Sequence, residues 1–399
     1  MRVAGIVAEY NPLHNGHLLH LERTRALGAT HIVCVLSGDF VQRAEPAALD
    51  KFTRARLAAA CGADLVIELP VQYAAGSGER FAEGAVSILD GLGCVDLLSF
   101  GSECGAAQRL RAAARAVLNP QVAAQTKALY ETGISYPAAR ERAVRAFCGG
   151  EIAALLREPN NILGIEYCKA LDRLGSGIEP VSVLREGAAH DGAVPDGATA
   201  SASFLRAHLG QNISNYVPPQ VGEALREARK NGSLSDGWPA LERILLFRLR
   251  GMEAADFAAL PGCADGLGDR LRRAAERAQD AETLFALAKT KRYTMSRVRR
   301  AALAALLGIR AAHYAAQPPY ARVLAIGAQG GALLHRIKQT ARLPVSHSLA
   351  KLEALGGACG ETARLCAAAH DIFGLSCGSI PPRGRDYTQK FCKIGADNR

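Results

Sequence analysis

The chain has 399 residues, 49% of them hydrophobic and 22% charged. That composition excludes a disordered or fibrous chain and leaves room for two domains of ordinary size, with cores large enough to need no disulfide or metal staple. A formal net charge of +10 points to an anionic partner, because cationic surface gathers phosphates. No run of 18 apolar residues occurs, so no membrane span is expected, and the chain enters a strand pattern at once, with no signal-peptide core. The 11 cysteines are scattered and include no Cys-x-x-Cys pair. Cys34, Cys94 and Cys168 sit in apolar runs as small core residues, the pattern of a reducing, cytoplasmic compartment. No metal-ligand cluster is apparent.

Residues 3–8 read as a first strand. They run into Glu9-Tyr10-Asn11-Pro12-Leu13-His14-Asn15-Gly16-His17, a turn followed by a helix over 17–26. Strand, tight turn and helix start is where open α/β sheets bind nucleotides, because free N–H groups there attract phosphate. His14 and His17, three residues apart, share one face of the first helical turn. Gly16 between them has no side chain to block a phosphate or base. Such a pair suits stabilisation of charge on an α-phosphate as pyrophosphate leaves, which is nucleotidyl transfer rather than γ-phosphoryl transfer. His20 follows on the same helix, where a lone histidine more often packs.

Further short apolar strands are expected at 31–37, 64–68, 96–100 and 181–184. Helical patterns at 51–61, 78–91, 106–118 and 161–174 lie between them. Alternation of this kind predicts an α/β fold: a doubly wound, Rossmann-like parallel sheet over residues 1–210, with active groups at the carboxyl ends of its strands. The polar loop 37–46, Gly101 after the fourth strand and Arg185 after the fifth strand are expected at that edge, and Asn160 and Asn161 either cap a helix or read an adenine or ribose edge. A Gly-rich stretch follows at 186–197. A helix over 198–209 is opened by Thr199, Ser201 and Ser203, hydroxyls that cap it or meet phosphates, with Arg206 one turn on as a phosphate clamp.

Residues 211–399 form a second, mostly helical domain with a small α/β piece, two short strands at 323–327 and 343–345 around a helix at 330–340. The tail beyond residue 349 is expected to be weakly helical, then Pro/Gly/Arg-rich and mobile at its end. Within this half, Lys289, Lys291, Arg292, Arg297, Arg299 and Arg300 make a run of one sign, a nucleic-acid candidate in a basic protein. If 289–300 is helical, Met295, Val298, Ala302 and Leu306 form its buried stripe, and Arg297 and Arg300 point away from it. Gly327-Ala328-Gln329-Gly330-Gly331 lacks the full dinucleotide fingerprint.

Taken together and in this order, residues 5–17, 37–46, 64–70, 100–103, 159–167 and Arg292-Tyr293-Thr294-Met295-Ser296-Arg297 resemble the bacterial tRNA(Met) cytidine acetate ligase family. The resemblance covers nearly the whole chain and is weakest after residue 349. His-x-Gly-His by itself marks only the wider nucleotidyltransferase superfamily. The resemblance implies that acetate attacks the α-phosphate of ATP, giving acetyl-adenylate and pyrophosphate. N4 of the wobble cytidine of elongator tRNA(Met), position 34, then takes the acetyl group. It implies ATP binding by Val7, Ala8, Glu9, Tyr10, Asn11, Pro12, Leu13, His14, Asn15, Gly16, His17, Leu18, Leu19 and His20, with Gly101, Asn160 or Asn161, and Arg185. His14, His17, Ser203 and Arg206 would be catalytic, and the run 289–300 would hold tRNA. Mg²⁺ would arrive with the nucleotide, and no obligate protein partner is implied. Three positions depart from the family pattern: Leu13 stands for phenylalanine, Asp39 for asparagine and Ala44 for glycine. Asp39 would place a negative charge beside an acetate pocket. Two rival readings are an adenylyltransferase for a small metabolite in coenzyme biosynthesis, and a non-catalytic RNA-binding protein.

Overall fold

The computed structural model describes residues 1–185, 200–314 and 316–395. The Gly-rich stretch expected at 186–197, and Thr199, lie outside the described residues. Five strands, β1 (Val3–Ala8), β2 (His31–Ser37), β3 (Leu65–Leu69), β4 (Leu97–Ser102) and β5 (Glu179–Leu184), run parallel in the order β3-β2-β1-β4-β5. Helices cover both faces, so β2 and β3 are buried along almost their whole length and read as unbroken apolar runs. Helix α1 (Asn15–Ala26) follows β1, and α2 (Lys51–Ala60) and α3 (Gly78–Gly91) follow β2 and β3. Strand order reverses between β1 and β4. The crevice at their carboxyl ends is therefore where such a sheet takes a ligand.

The stretch between residues 118 and 161, for which the periodicity assigns no element, is helical. Pro120–Glu131 and Tyr136–Cys148 lead into α4 (Pro159–Leu174), which returns the chain to β5. In the second half, helices pack around Leu241, Leu245, Leu271, Leu284, Val298 and Leu303. Among them is α5 (Met295–Leu307), capped by Thr294, whose side chain accepts from the Arg297 N–H. The helix expected to span residues 289–300 therefore begins only at Met295.

Two expectations for the second half change. The strands after residue 320 do not build a separate piece. β6 (Ala321–Ile326) pairs antiparallel with β3, and Val345–Ser346 and Cys392–Lys393 pair with β6. An open outer edge of β3 would expose unpaired backbone groups, and β6 satisfies them. Nor is the tail only weakly helical over its described length. It contains the 18-residue helix α6 (Gly357–Gly374) and a turn at Arg385–Thr388 that buries Asp386.

Asp386 enters a buried ionic cluster. Lys51 Nζ lies 2.7 Å from Glu68 and 2.8 Å from Asp386, while Arg322 Nη1 lies 2.9 Å from Glu68 and 2.7 Å from Asp386. Asp39 belongs here too. One oxygen accepts the Lys51 N–H at 2.8 Å, and the other sits 2.9 Å from His370 Nδ1. Burial pushes the Asp39 carboxyl up, but His370, Lys51 and Arg54 hold it below the usual carboxylate range. The charge expected beside an acetate pocket is thus neutralised in the interior, away from the crevice. Ala44, where the family pattern has glycine, takes φ +59°, the left-handed region in which glycine is free of strain.

Candidate active site

The turn after β1 sets up the site. Tyr10 takes φ +47°, and the Asn11–Pro12 peptide is cis. His14 then caps α1. Its Nδ1 accepts the Gly16 N–H at 3.1 Å, and the His14 N–H is accepted by His17 Nδ1 at 3.3 Å. This reciprocal box is usually built from a hydroxyl and a carboxylate; here two imidazoles make it. The rings stack with centroids 3.7 Å apart. A neutral imidazole whose Nδ1 accepts must carry its proton on Nε2. The fold therefore fixes both tautomers and leaves two Nε2–H donors on one wall. Burial, then Arg185 and Arg206, lowers the pKa of His14 to about 3. Burial, then His14, Arg185 and His20, lowers that of His17 as well. Both rings are neutral donors at pH 7.

Gly16 is dictated by this stack. A Cβ there would stand 3.0 Å from His14 Cε1 and 3.2 Å from its Nδ1, forcing the ring aside. Gly16→Ala is expected to lower ATP turnover by about 10²-fold, the scale of a sub-ångström-to-1 Å misplacement, with the fold retained. Turnover and a melting curve on the same sample check this; full activity would show that the ring position is immaterial.

The histidines open onto a cavity of about 740 Å³ at the carboxyl ends of β1 and β4, a size that suits a nucleotide. Val7, Ala8, Glu9, Tyr10, Asn11, His14, His17, His20, Gly101, Asn160, Arg185, Ser203 and Arg206 all line it. His20 faces inward rather than serving as packing, its Nε2 held 3.0 Å from Ser99 Oγ on β4. A Cβ on Gly101 would stand 3.2 Å from Arg185 Cγ, so glycine lets that arginine lie across the strand end. Arg206 joins three segments: it donates to the Asn11 carbonyl at 3.1 Å and Ser203 Oγ at 3.2 Å, and its Nε pairs with Glu45 at 3.1 Å. Ser201 caps the short helix Ala202–Ala207, its hydroxyl accepting the Phe204 N–H.

The structure separates the two asparagines. Asn160 lines the cavity with its side-chain amide donating to Glu103 at 2.6 Å. Asn161 is buried, and its Oδ1 accepts the Cys104 N–H at 3.1 Å. Pro12, Leu13, Asn15, Gly16, Leu18 and Leu19 also stand off the wall. Leu13 is buried beside Ile6 and Leu21, and Asn15 donates to the Asn215 carbonyl at 3.0 Å.

The basic run divides. Lys289, Lys291 and Arg292 are exposed on the turn before α5. Arg297, expected to point away from the buried stripe, is tied 2.7 Å from Asp265 and donates to the Tyr130 hydroxyl at 3.3 Å. Arg299 and Arg300 reach the cavity wall beside Met295 and Ser296. The sequence pattern puts Met295 on a buried stripe and gives Ser296, Phe81 and Tyr167 no place in the site, yet all four form the wall. Thr294-Met295-Ser296 within the family motif was the one signal for the first two.

A pH dependence follows. The folded pKa of His14 is lowered to about 3 and that of His20 to about 4, both mainly by burial. Stability from keeping them neutral is complete above the unfolded value near 6.5 and is lost as pH falls through the window below it. His370, raised by Asp39 against the effect of burial, has the opposite sign and is common to both proteins compared. The melting temperature of wild type should drop more between pH 7 and pH 5 than that of a His14→Ala/His20→Ala variant. Equal drops would contradict the neutral, buried state.

The comparisons with known proteins converge. A profile of the HIGH Nucleotidyl Transferase family matches residues 1–378. A tRNA(Met) cytidine acetate ligase from Syntrophotalea carbinolica is 39% identical, over 88% of this chain and 86% of that protein. One from Caldanaerobacter subterraneus subsp. tengcongensis is 38% identical, over 88% and 90%. The apo crystal structure of Thermotoga maritima TmcAL superposes with a TM-score of 0.93 at 28% identity, covering 99% of this chain and all of that one. The form of that protein bound with alpha-thio ATP superposes with a TM-score of 0.91. A His-x-Gly-His helix start at the switch point of a parallel sheet, matched along the whole chain by these relatives, shows that the chain belongs to the HIGH nucleotidyltransferase family and, within it, to the tRNA(Met) cytidine acetate ligases.

Proposed function

We propose that this protein uses ATP to activate acetate and acetylates N4 of the wobble cytidine of elongator tRNA(Met). The observation that carries this reading is the pair of fixed Nε2–H donors on His14 and His17, in one cavity with Ser203, Arg206 and Arg185. ATP lies with its α-phosphate at the histidines and its β- and γ-phosphates toward Ser203 and Arg206. Acetate attacks the α-phosphorus, an acetyl-adenylate forms and pyrophosphate leaves. The two imidazoles stabilise the charge that builds on the α-phosphate, where donors set in advance are most effective. Mg²⁺ enters as part of the nucleotide substrate. Acetyl-adenylate reacts with water, so a recessed site that admits one base protects it. The exposed basic residues Lys289, Lys291 and Arg292 hold the RNA backbone outside, and Arg299 and Arg300 continue that charge to the cavity. The acceptor cytidine turns out of the anticodon loop into the site, as bases do in other base-modifying enzymes.

The test is incubation of purified protein with ATP–Mg²⁺, labelled acetate and mixed tRNA, followed by nucleoside mass spectrometry. N4-acetylcytidine in elongator tRNA(Met), dependent on both ATP and acetate, supports the reading. Pyrophosphate release with another small substrate and no acetylated cytidine would instead indicate a metabolite adenylyltransferase.

A further inference from the structure

On the reading above the cavity receives a triphosphate and a carboxylate, and its wall carries five arginines: Arg43, Arg185, Arg206, Arg299 and Arg300. Among the described residues on that wall there is one carboxylate, Glu9, at the carboxyl end of β1. An anion in an anion site repels its own substrates unless it meets a group that gives up a proton. Glu9 is not consumed by structure. One oxygen accepts the Gln42 N–H at 2.7 Å, which orients the carboxylate, and no direct ion pair forms to it among the described residues.

The second half of the reaction needs such a group. The exocyclic amine of cytidine is conjugated with its ring and is a weak nucleophile. Its proton must leave as the new N–C bond forms. His14 and His17 are poorly set to take it, since each uses Nδ1 as an acceptor for a backbone N–H and presents N–H, and His20 has its Nε2 engaged by Ser99.

Resting on the functional reading above, we infer that Glu9 is the general base of acetyl transfer. The N4 nitrogen attacks the acetyl carbonyl carbon of acetyl-adenylate, Glu9 takes one amine proton, the bond from carbonyl carbon to phosphate oxygen breaks, and AMP leaves with that electron pair. The products are the acetylated cytidine, AMP and a proton on Glu9. Burial raises the Glu9 carboxyl above the usual range, against the Gln42 N–H and Arg206, which moves it toward the pH where a base is most effective.

The test separates the two half-reactions. Acetate-dependent pyrophosphate exchange reports adenylation. Single-turnover reaction with supplied acetyl-adenylate and elongator tRNA(Met) reports transfer. In Glu9→Gln, transfer should fall by about 10²–10⁴-fold, a larger loss than in exchange, and the rise of transfer rate with pH expected of wild type should disappear. Glu9→Asp, which keeps a carboxylate one methylene back, should retain that rise at a lower rate. Equal losses in both half-reactions would place Glu9 with ATP and overturn the inference, as would unchanged transfer. If wild type itself shows no acetate-dependent exchange, the functional reading fails and takes this inference with it; normal exchange with unaffected transfer in Glu9→Gln defeats the Glu9 role alone.

Discussion

His17→Ala is expected to lower acetate-dependent pyrophosphate exchange by about 10²–10³-fold, or about 3–4 kcal/mol of transition-state stabilisation, the loss that follows removal of one donor set in advance at a developing oxyanion. His17 Nδ1 is committed to the His14 N–H, so its Nε2–H is held toward the cavity in the one neutral tautomer. Alanine removes that donor and also the ring on which His14 stacks at 3.7 Å. The loss should therefore appear mainly in kcat rather than in the KM for ATP, because the interaction strengthens as charge builds. His14→Ala should behave alike, and the double variant should lose less than the product of the two, since the rings act as one unit. Exchange assays on all three, with a melting curve to verify folding, decide the matter. Turnover within threefold of wild type in both single variants would refute the assignment.

Asp386→Ala is expected to destabilise the protein by about 3–5 kcal/mol, a large share of ordinary stability. Asp386 is the shared partner of Lys51 and Arg322, all three fully buried. Its carboxyl is held below the usual range by Lys51 and Arg322 despite burial. Removing it leaves one carboxylate, Glu68, directly bridging two interior cations. The cost comes from stranding those charges, not from the worth of the pair itself, so a volume-matched apolar replacement of the whole group would cost far less. The shift in denaturant midpoint at constant slope measures it. A change below about 1 kcal/mol would mean that the tail detaches easily and water reaches the cations.

Local sequence was sufficient for the parallel sheet and for the heart of the site. Period and composition over five or six residues distinguish a doubly buried strand, and β1 and β2 have the expected limits because turn residues bound them. His14, Gly16 and His17 were legible because their relation is contained within one helical turn. Arg185 and Gly101 were legible from the rule that open sheets bind at the carboxyl ends of their strands, and Ser203 and Arg206 from hydroxyls at a helix start.

What the sequence could not decide involves partners far apart along the chain. Asp39 and His370 are 331 residues apart, and Lys51 and Asp386 are 335 apart. No local pattern says that a charge near a predicted pocket will be neutralised in the interior. β6 was legible as a strand, but its place on β3 depends on which sheet edge the parallel strands leave open. The basic run read as one feature because its charges are adjacent in sequence. Only the tertiary structure divides it, since a helix that starts at Met295 turns Arg297 to Asp265 and sends Arg299 and Arg300 to the cavity. The sequence by itself determined which chemistry the helix start can perform, because backbone geometry over four residues sets it. The tertiary structure decided the protonation state of those histidines, the isolation of Glu9 among arginines and the fate of the buried charges, because burial and long-range Coulomb forces exist only once distant segments have met.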